Sequence, residues 1–305
     1  MTRHTPSPIP RDSLAGLAAA VPAYLIWGLS PAYWKTLVHV PAFEILMHRM
    51  IWSFVFLVPL VIVLKQWKEL KEAITNTRTL AILTLTTVIV GGNWFLFIWA
   101  INSGHILQTS LGYYINPLVN VLLGMIFLGE RLRPLQAVAV GLAAISVTYL
   151  TLGYGTFPWV ALALAVTFGF YALIRKVAPV GAAAGLTIET LLLSLPAAAY
   201  LFYLDMLGKG AFLRVDTRTD LLLMGAALVT ALPLLLFTLG ARRLPLATMG
   251  FLQYLAPSCS FVLAVTVYEE SLAIPQILSF VLIWVALLIF SVDSVRFYRN
   301  RPVTR

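Results

Sequence analysis

Residues 110–136 read SLGYYINPLVNVLLGMIFLGERLRPLQ, and residues 250–276 read GFLQYLAPSCSFVLAVTVYEESLAIPQ. Both stretches lie within long hydrophobic segments. The shared positions pair at a constant offset of 140 residues: Tyr114 with Tyr254, Pro117 with Pro257, Glu130 with Glu270 and Gln136 with Gln276. A self-similarity at about half the length of the chain predicts two repeats of one structural unit.

The composition excludes a soluble domain. The chain of 305 residues is 60% hydrophobic and 11% charged, with a mean hydropathy of +0.91, whereas a soluble globular chain carries about 25% charged residues. The net charge of +9 does not indicate nucleic-acid binding, because the basic residues are divided among short loops. The single cysteine, Cys259, excludes an internal disulfide and a cysteine-built metal site.

Apolar runs near 20 residues, long enough to cross a hydrocarbon core of about 30 Å, recur along the chain. They predict ten membrane-spanning helices: Leu14–Trp34, Phe43–Leu64, Leu80–Ile101, Ile106–Leu128, Leu135–Leu152, Trp159–Ile174, Ala182–Leu204, Leu221–Ala241, Leu246–Tyr268 and Ile274–Val292. The predicted fold is an all-α integral membrane protein. It comprises a tail at 1–13, five helices at 14–152, five more at 153–293 and a second tail at 294–305.

Positive charge differs between the two sets of loops. Four of the 21 Lys and Arg residues lie in loops after odd-numbered spans, and sixteen lie in the termini and the other loops. Loops rich in Lys and Arg face the cytoplasm, so both termini are predicted to be cytoplasmic. Arg131 and Arg133 align with Ser271 and Ala273, so charge follows the membrane side and not the place in the repeat. With five spans per repeat, the second is predicted to be inverted.

Aromatic and amide side chains near the centres of the spans are candidates for the walls of a substrate cavity. The candidates are Tyr24, Trp27, Asn93, Trp94, Tyr113, Tyr114, Asn116, Asn120, Tyr171, Gln253 and Tyr254. Interhelical hydrogen bonding without a substrate is the alternative for the amides. Tyr33 and Trp34 are instead typical of a membrane-interface belt.

Prolines lie inside several spans. Each removes a helical hydrogen bond and leaves a carbonyl without its donor, which in lipid needs a partner or a watery cavity. Pro31, Pro117, Pro233 and Pro257 are therefore candidate hinges beside a pathway. A kink satisfied by a neighbouring helix is the alternative.

Ionisable residues inside spans cost about 2.5–3.5 kcal/mol each on insertion scales. Glu44 and His48 are one turn apart near the start of span 2, Arg49 follows, and Glu189 is expected about one turn inside span 7. The hypothesis is that Glu44 or Glu189 exchanges a proton during transport. A carboxylate that complements a helix dipole, paired with Arg49, is the alternative.

Motifs of energy-coupling enzymes are missing. The sequence contains no G-x-x-x-x-G-K-[ST], H-E-x-x-H or G-x-S-x-G, and four scattered histidines form no ligand set. We therefore expect no enzymatic activity, no cofactor and no metal.

Five blocks resemble the EamA family of the drug/metabolite transporter superfamily: AYLIWGLSPAYWK at 23–35, EILMHRMIWSF at 44–54, GGNWFLFIWAIN at 91–102, LGYYINPLVNVLLGMIFLGERLR at 111–133 and GFLQYLAPS at 250–258. The resemblance covers nearly the whole chain. It implies ten helices in two inverted halves, a bacterial inner-membrane location and export or exchange of small organic solutes. It also implies that spans 1–4 and 6–9 line the cavity.

These observations together predict a carrier that works by alternating access on a small amphipathic solute, without ATP. Expected partners are this solute and membrane lipid, with a homodimer through span 5 or 10. Three alternatives stay open: an uncoupled facilitator, a membrane-embedded enzyme acting on lipid, and a helper subunit of a complex.

Overall fold

The computed structural model describes residues 11–153, 157–269 and 274–299. Glu270, residues 154–156, residues 1–10 of the first predicted tail and residues 300–305 of the second lie outside this part. The described residues form twelve helices: α1 (Arg11–Lys35), α2 (Ala42–Val63), α3 (Trp67–Thr75), α4 (Thr77–Asn102), α5 (Ile106–Leu128), α6 (Pro134–Gly153), α7 (Trp159–Val177), α8 (Ala182–Met206), α9 (Thr217–Ala241), α10 (Leu246–Gln253), α11 (Leu255–Thr266) and α12 (Ile274–Arg299).

Ten segments of the described chain are long and apolar enough to cross a membrane, and they confirm the ten predicted spans. Most boundaries fall within a few residues of the prediction. Span 8 begins four residues early, because Asp216 caps α9 by accepting a hydrogen bond from the Thr219 backbone N–H at 2.6 Å. The same contact lowers the pKa of the Asp216 carboxyl.

Two helical features differ from the prediction. The segment 65–79, between the second and third predicted spans, contains the short amphipathic helix α3, with Leu70 and Ala73 buried against the bundle. Span 9 is interrupted at Tyr254, whose N–H bonds the carbonyl of Phe251 in a tighter turn. The interruption follows Gln253. Pro257, four residues later, has no backbone N–H, so the Gln253 carbonyl lacks its helical donor.

Three of the five pairs of helices in corresponding positions of the two halves pack closely together, and each of these pairs is antiparallel. Along α5 and α10, Glu130 lies beside Leu246 while Asn120 lies beside Gln253. Since one residue number rises as the other falls, the two helices run in opposite directions. This packing supports the predicted inversion.

Two further corresponding pairs, α2–α8 and α6–α12, are also antiparallel. Ser194 of α8 bonds Met50 of α2, while the residues after α8 reach Glu44 at the start of α2. In the pair α6–α12, Ser146 bonds Ser279 at one level, and Arg133 contacts Asp293 at another. All three pairs therefore join the first half to the second.

Close contacts between helix backbones occur in the pair α5–α10 and also between α1 and α11. A Cβ on Gly250 would lie 2.6 Å from the backbone oxygen of Pro117, and one on Gly28 would lie 2.6 Å from the Cβ of Cys259. Small residues at such positions let helix backbones approach in lipid, where apolar burial supplies little force between helices.

Candidate functional site

Arg49 is the central feature of the interface between the halves. Its Nε donates a hydrogen bond of 2.8 Å to Thr230 Oγ1 of α9, so a residue of the first half contacts the second half inside the membrane. Among the described residues, no carboxylate lies within ion-pair distance of Arg49. Its side chain is only partly buried.

Two tryptophan rings lie beside this guanidinium. Arg49 Cζ lies 4.8 Å from the ring centroid of Trp34 and 5.7 Å from that of Trp94, both within the range of cation–π attraction. Tyr113 lies within electrostatic reach of Arg49 and is 48% exposed although it sits inside a span. We call Trp34, Arg49, Trp94, Tyr113 and Thr230 the arginine site.

Most of the arginine site lies inside the spans, while Trp34, one residue before the end of α1, lies at the outer edge. Arg49 and Tyr113 each follow the first residue of their helix by seven residues, and Trp94 precedes the end of α4 by eight. At about 1.5 Å per residue they lie about 10–12 Å below the predicted outer helix ends. That depth approaches the middle of a hydrocarbon core of about 30 Å.

The predicted amides lie at helix contacts. Asn93 donates to the carbonyl of Leu164 and to Thr167, and Asn116 donates to the carbonyl of Ala165. Asn120 joins Asn116 to Gln253 across the halves with bonds of 3.0 and 3.1 Å. These contacts fit the alternative in which the amides bond neighbouring helices. A buried oxygen, Oδ1 of Asn120, has no protein donor.

The predicted aromatic residues are divided between the interior and the arginine site. Tyr24, Tyr171 and Tyr254 are fully buried, and their hydroxyls donate to the Met249 carbonyl, Glu189 and the Tyr114 carbonyl. Trp27 packs among aromatic rings that include those of Phe168 and Phe237. Of this predicted set, Trp94 lies beside Arg49, with its ring centroid 5.7 Å from Cζ.

Glu189 belongs to a separate buried ion pair. Its carboxylate lies 3.5 Å from Arg175 Nε and accepts hydrogen bonds from Thr86 and Tyr171. Both charged side chains are fully buried. Glu189 is seven residues beyond the start of α8, about two helical turns inside it, so the expected depth of one turn is wrong.

Glu44 lies in the first turn of α2, as the helix-dipole alternative expects, but it does not pair with Arg49, so that part of the alternative is wrong. Its Oε1 accepts the Ala211 N–H at 2.6 Å and lies 4.0 Å from His48 Nε2. The residue order in α2 explains the difference, since Glu44 and His48 share a face one turn apart while Arg49 points about 100° away toward α9. Two further contacts join the halves at this end: Tyr33 donates to the Leu222 carbonyl, and His39 lies 2.9 Å from Thr219.

The contacts of Glu44, Tyr33 and His39 are called the outer clasp, since they lie at the predicted outer end. An inner clasp joins the halves at the predicted cytoplasmic end. Glu69 accepts the N–H of Gly181 at the start of α8. Glu130 accepts the N–H groups of Leu246 and Ala247 at the start of α10, at 2.6 and 3.0 Å. In both contacts, a carboxylate of the first half binds the positive end of a helix dipole in the second.

The candidate hinge prolines behave differently from one another. Helix α5 continues through Pro117 and α9 through Pro233, while α1 ends four residues after Pro31. Only the span containing Pro257 is interrupted, at Tyr254. The aligned prolines Pro117 and Pro257 therefore differ: the first lies in a continuous helix and the second in an interrupted one.

Sequence reasoning missed Trp34 and Thr230 as members of the arginine site, and Glu69 and Arg175 as buried-contact residues. Trp34 is of the residue type expected at the membrane interface. Only its contact with Arg49 distinguishes it from the other tryptophans at helix ends. Thr230 lies in the middle of an apolar span, where a hydroxyl had no assigned partner. The signal for both was Arg49, a charge within a span that must find neighbours.

The fold and these contacts define an all-helical, ten-span membrane protein whose halves meet around polar groups. The EamA-like transporter family matches residues 14–152. The chain is 48% identical to Protein RarD of Salmonella typhi over 95% of this chain and 99% of that protein. It is 47% identical to Protein RarD of Escherichia coli, over 97% and 99%, and 32% identical to the Chloramphenicol-sensitive protein RarD of Pseudomonas aeruginosa, over 95% and 98%.

The chain therefore belongs to the EamA-like transporter family, among its RarD members. It is a membrane transporter of a bacterial family. A solved crystal structure with 18% identity matches the fold with a TM-score of 0.71, over 94% of this chain and 98% of that one.

Proposed function

We propose that this protein is a secondary transporter of small organic solutes that works by alternating access in the bacterial inner membrane, with both termini in the cytoplasm. The observation that carries the proposal is the distribution of contacts between the halves. Side-chain contacts join them at both ends, in the inner and outer clasps, and a partly open polar site lies between.

Alternating access needs two sets of contacts that open in turn around one site. Each clasp consists mainly of hydrogen bonds from side chains to backbone groups, which water can replace when the halves separate. The arginine site touches both halves, so rocking of one half on the other changes its geometry. A solute bound there would be exposed first to one side and then to the other.

Coupling to protons is part of the proposal through Glu44 and Glu189. Glu44 is buried beside His48 in the outer clasp, so loss or gain of a proton would change a contact between the halves. Glu189 forms an ion pair within the second half and also bonds Thr86 of the first half. Protonation of either carboxyl would weaken a contact that bridges the halves.

Transport by the purified protein in liposomes tests the proposal. A panel of small metabolites and drugs is offered with and without an imposed pH gradient, and empty liposomes serve as the control. Saturable flux that falls when the gradient is collapsed supports coupled transport. Saturable flux without any response to the gradient favours the uncoupled facilitator, and no flux of any compound contradicts transport of such solutes.

A further inference from the structure

We infer that the arginine site binds the anionic group of the transported solute, so that the substrates are small amphipathic organic anions, carboxylates above all. This inference rests on the proposed function and adds the chemical class of the cargo. A guanidinium inside a membrane is costly, and only ion-pair or hydrogen-bond partners offset this cost.

Two cations in the last turn of α7 have such partners. Arg175 is paired with Glu189 and donates to the carbonyl of Ala182. Lys176 donates to the carbonyls of Ala241 and Leu244 at the end of α9. Arg49 differs from both. Its Nε donates a hydrogen bond to Thr230 Oγ1, and no described carboxylate lies within ion-pair distance of it.

The bond to Thr230 leaves the outer edge of the guanidinium available. A guanidinium carries five N–H donors in a planar fork, and the Nε bond uses one of them. The terminal nitrogens of Arg49 are not among the buried atoms without partners, and the side chain is partly open. A carboxylate can accept two parallel hydrogen bonds from these nitrogens.

The surroundings fit an amphipathic anion better than an inorganic one. Trp34 and Trp94 present apolar rings beside Arg49, and Tyr113 has a partly exposed ring with a hydroxyl. These rings can pack against a hydrocarbon or aromatic body while the charged end meets the guanidinium.

Matched acids and amides test this inference. Binding of a panel of aryl and alkyl monocarboxylates, each beside its uncharged amide, is measured by calorimetry on protein in phosphatidylcholine nanodiscs. At least one acid is expected to bind about tenfold or more tighter than its amide. Arg49→Gln should weaken binding of that acid about 30-fold or more and leave the affinity for the amide unchanged. Arg49→Lys should restore part of the loss, because a point charge replaces the planar fork.

Two further variants separate a binding role from a structural one. Thr230→Val removes the acceptor that orients the guanidinium, so acid affinity should fall several-fold while the preference for acids persists. Arg214→Gln removes one positive charge at an exposed position of the same end and should leave acid binding unchanged. Thermal unfolding of each variant shows whether the protein is intact.

Three results would overturn the inference: no acid of the panel binds, the amides bind as tightly as the acids, or the acid preference survives in Arg49→Gln. Competitive loss of acid binding when phosphatidylglycerol is added would assign Arg49 to lipid headgroups and would also overturn it. Transport of neutral or cationic compounds that is normal in Arg49→Gln would reject the inference while leaving the proposed function intact.

Discussion

Glu130 in the inner clasp offers the sharpest test of how the two halves separate. Its carboxylate binds two backbone N–H groups at the start of α10 and is half-buried. Glu130→Gln keeps one acceptor oxygen but turns an N–H₂ group toward the other donor. The variant should therefore weaken the clasp without changing side-chain size.

The magnitude follows from these two bonds. A hydrogen bond to a charged group contributes about 1.5–3 kcal/mol, and loss of a helix-capping acceptor costs about 0.5–2 kcal/mol. Because the site is half-buried and water can compensate in part, the expected loss is about 1–2 kcal/mol. If the clasp is intact in one conformation and broken in the other, the population of the open form should rise about 5- to 30-fold.

Cysteine labelling measures this shift. Ala247→Cys, in a Cys259→Ser background, places a thiol behind the clasp, where Ala247 is buried. Its reaction with a membrane-impermeant maleimide, added from the predicted cytoplasmic side, should accelerate about 5- to 30-fold in Glu130→Gln. Glu72→Gln, at an exposed position, is the matched control and should have no effect.

A thiol at Ala143, fully buried between α6 and α12, reports global unfolding. Its labelling should stay slow in both variants. An unchanged rate at position 247 in Glu130→Gln, with the protein folded, would refute the idea that this carboxylate holds the halves together. Equal acceleration at both thiols would also refute it, since the whole fold and not the clasp would have loosened.

Three further predictions concern buried charge, helix contact and coupling. Glu189→Gln should lower the free energy of unfolding in detergent by about 3–5 kcal/mol, because buried Arg175 loses its countercharge; a loss below about 1 kcal/mol would contradict the buried pair. Gly28→Ala should lower the free energy of unfolding by about 1–3 kcal/mol, because the added Cβ overpacks the contact with Cys259. Gly92→Ala, whose added Cβ would meet open space, is the control and should leave it unchanged. Equal melting temperatures of the two variants would contradict this prediction. Flux in Glu44→Gln or Glu189→Gln should lose its response to a pH gradient, and normal flux in both variants would remove proton exchange by these carboxyls.

The spans were predictable because the membrane imposes a length and a composition on each of them. Ile106–Leu128 matches the predicted fourth span at both ends. Helix α3 was not predicted, because it has only nine residues and its apolar side chains, Leu70 and Ala73, lie on one face. Averaged over a window as long as a membrane span, such a segment resembles a polar loop. Its signal was the apolar spacing of three residues beside Trp67.

The polar contacts were less predictable because they depend on which helices become neighbours. The sequence marks Arg49 and Glu189 as costly residues but does not say that Arg175, counted among the loop cations, lies next to Glu189. It also places Glu44 and Arg49 close together along the chain, although they face different partners. The amides at Asn93 and Asn116 could be identified as buried, but their acceptors on α7 follow only from the packing.

Distances between the halves at both ends of the membrane test alternating access most directly. Spin labels at Lys71 and Arg243 report the predicted cytoplasmic end, and labels at Val38 and Leu213 report the outer end; all four positions are exposed. Pulsed electron spin resonance with and without a transported solute should show one distance lengthening as the other shortens. Two distances that stay fixed, or that change in the same sense, would contradict the account.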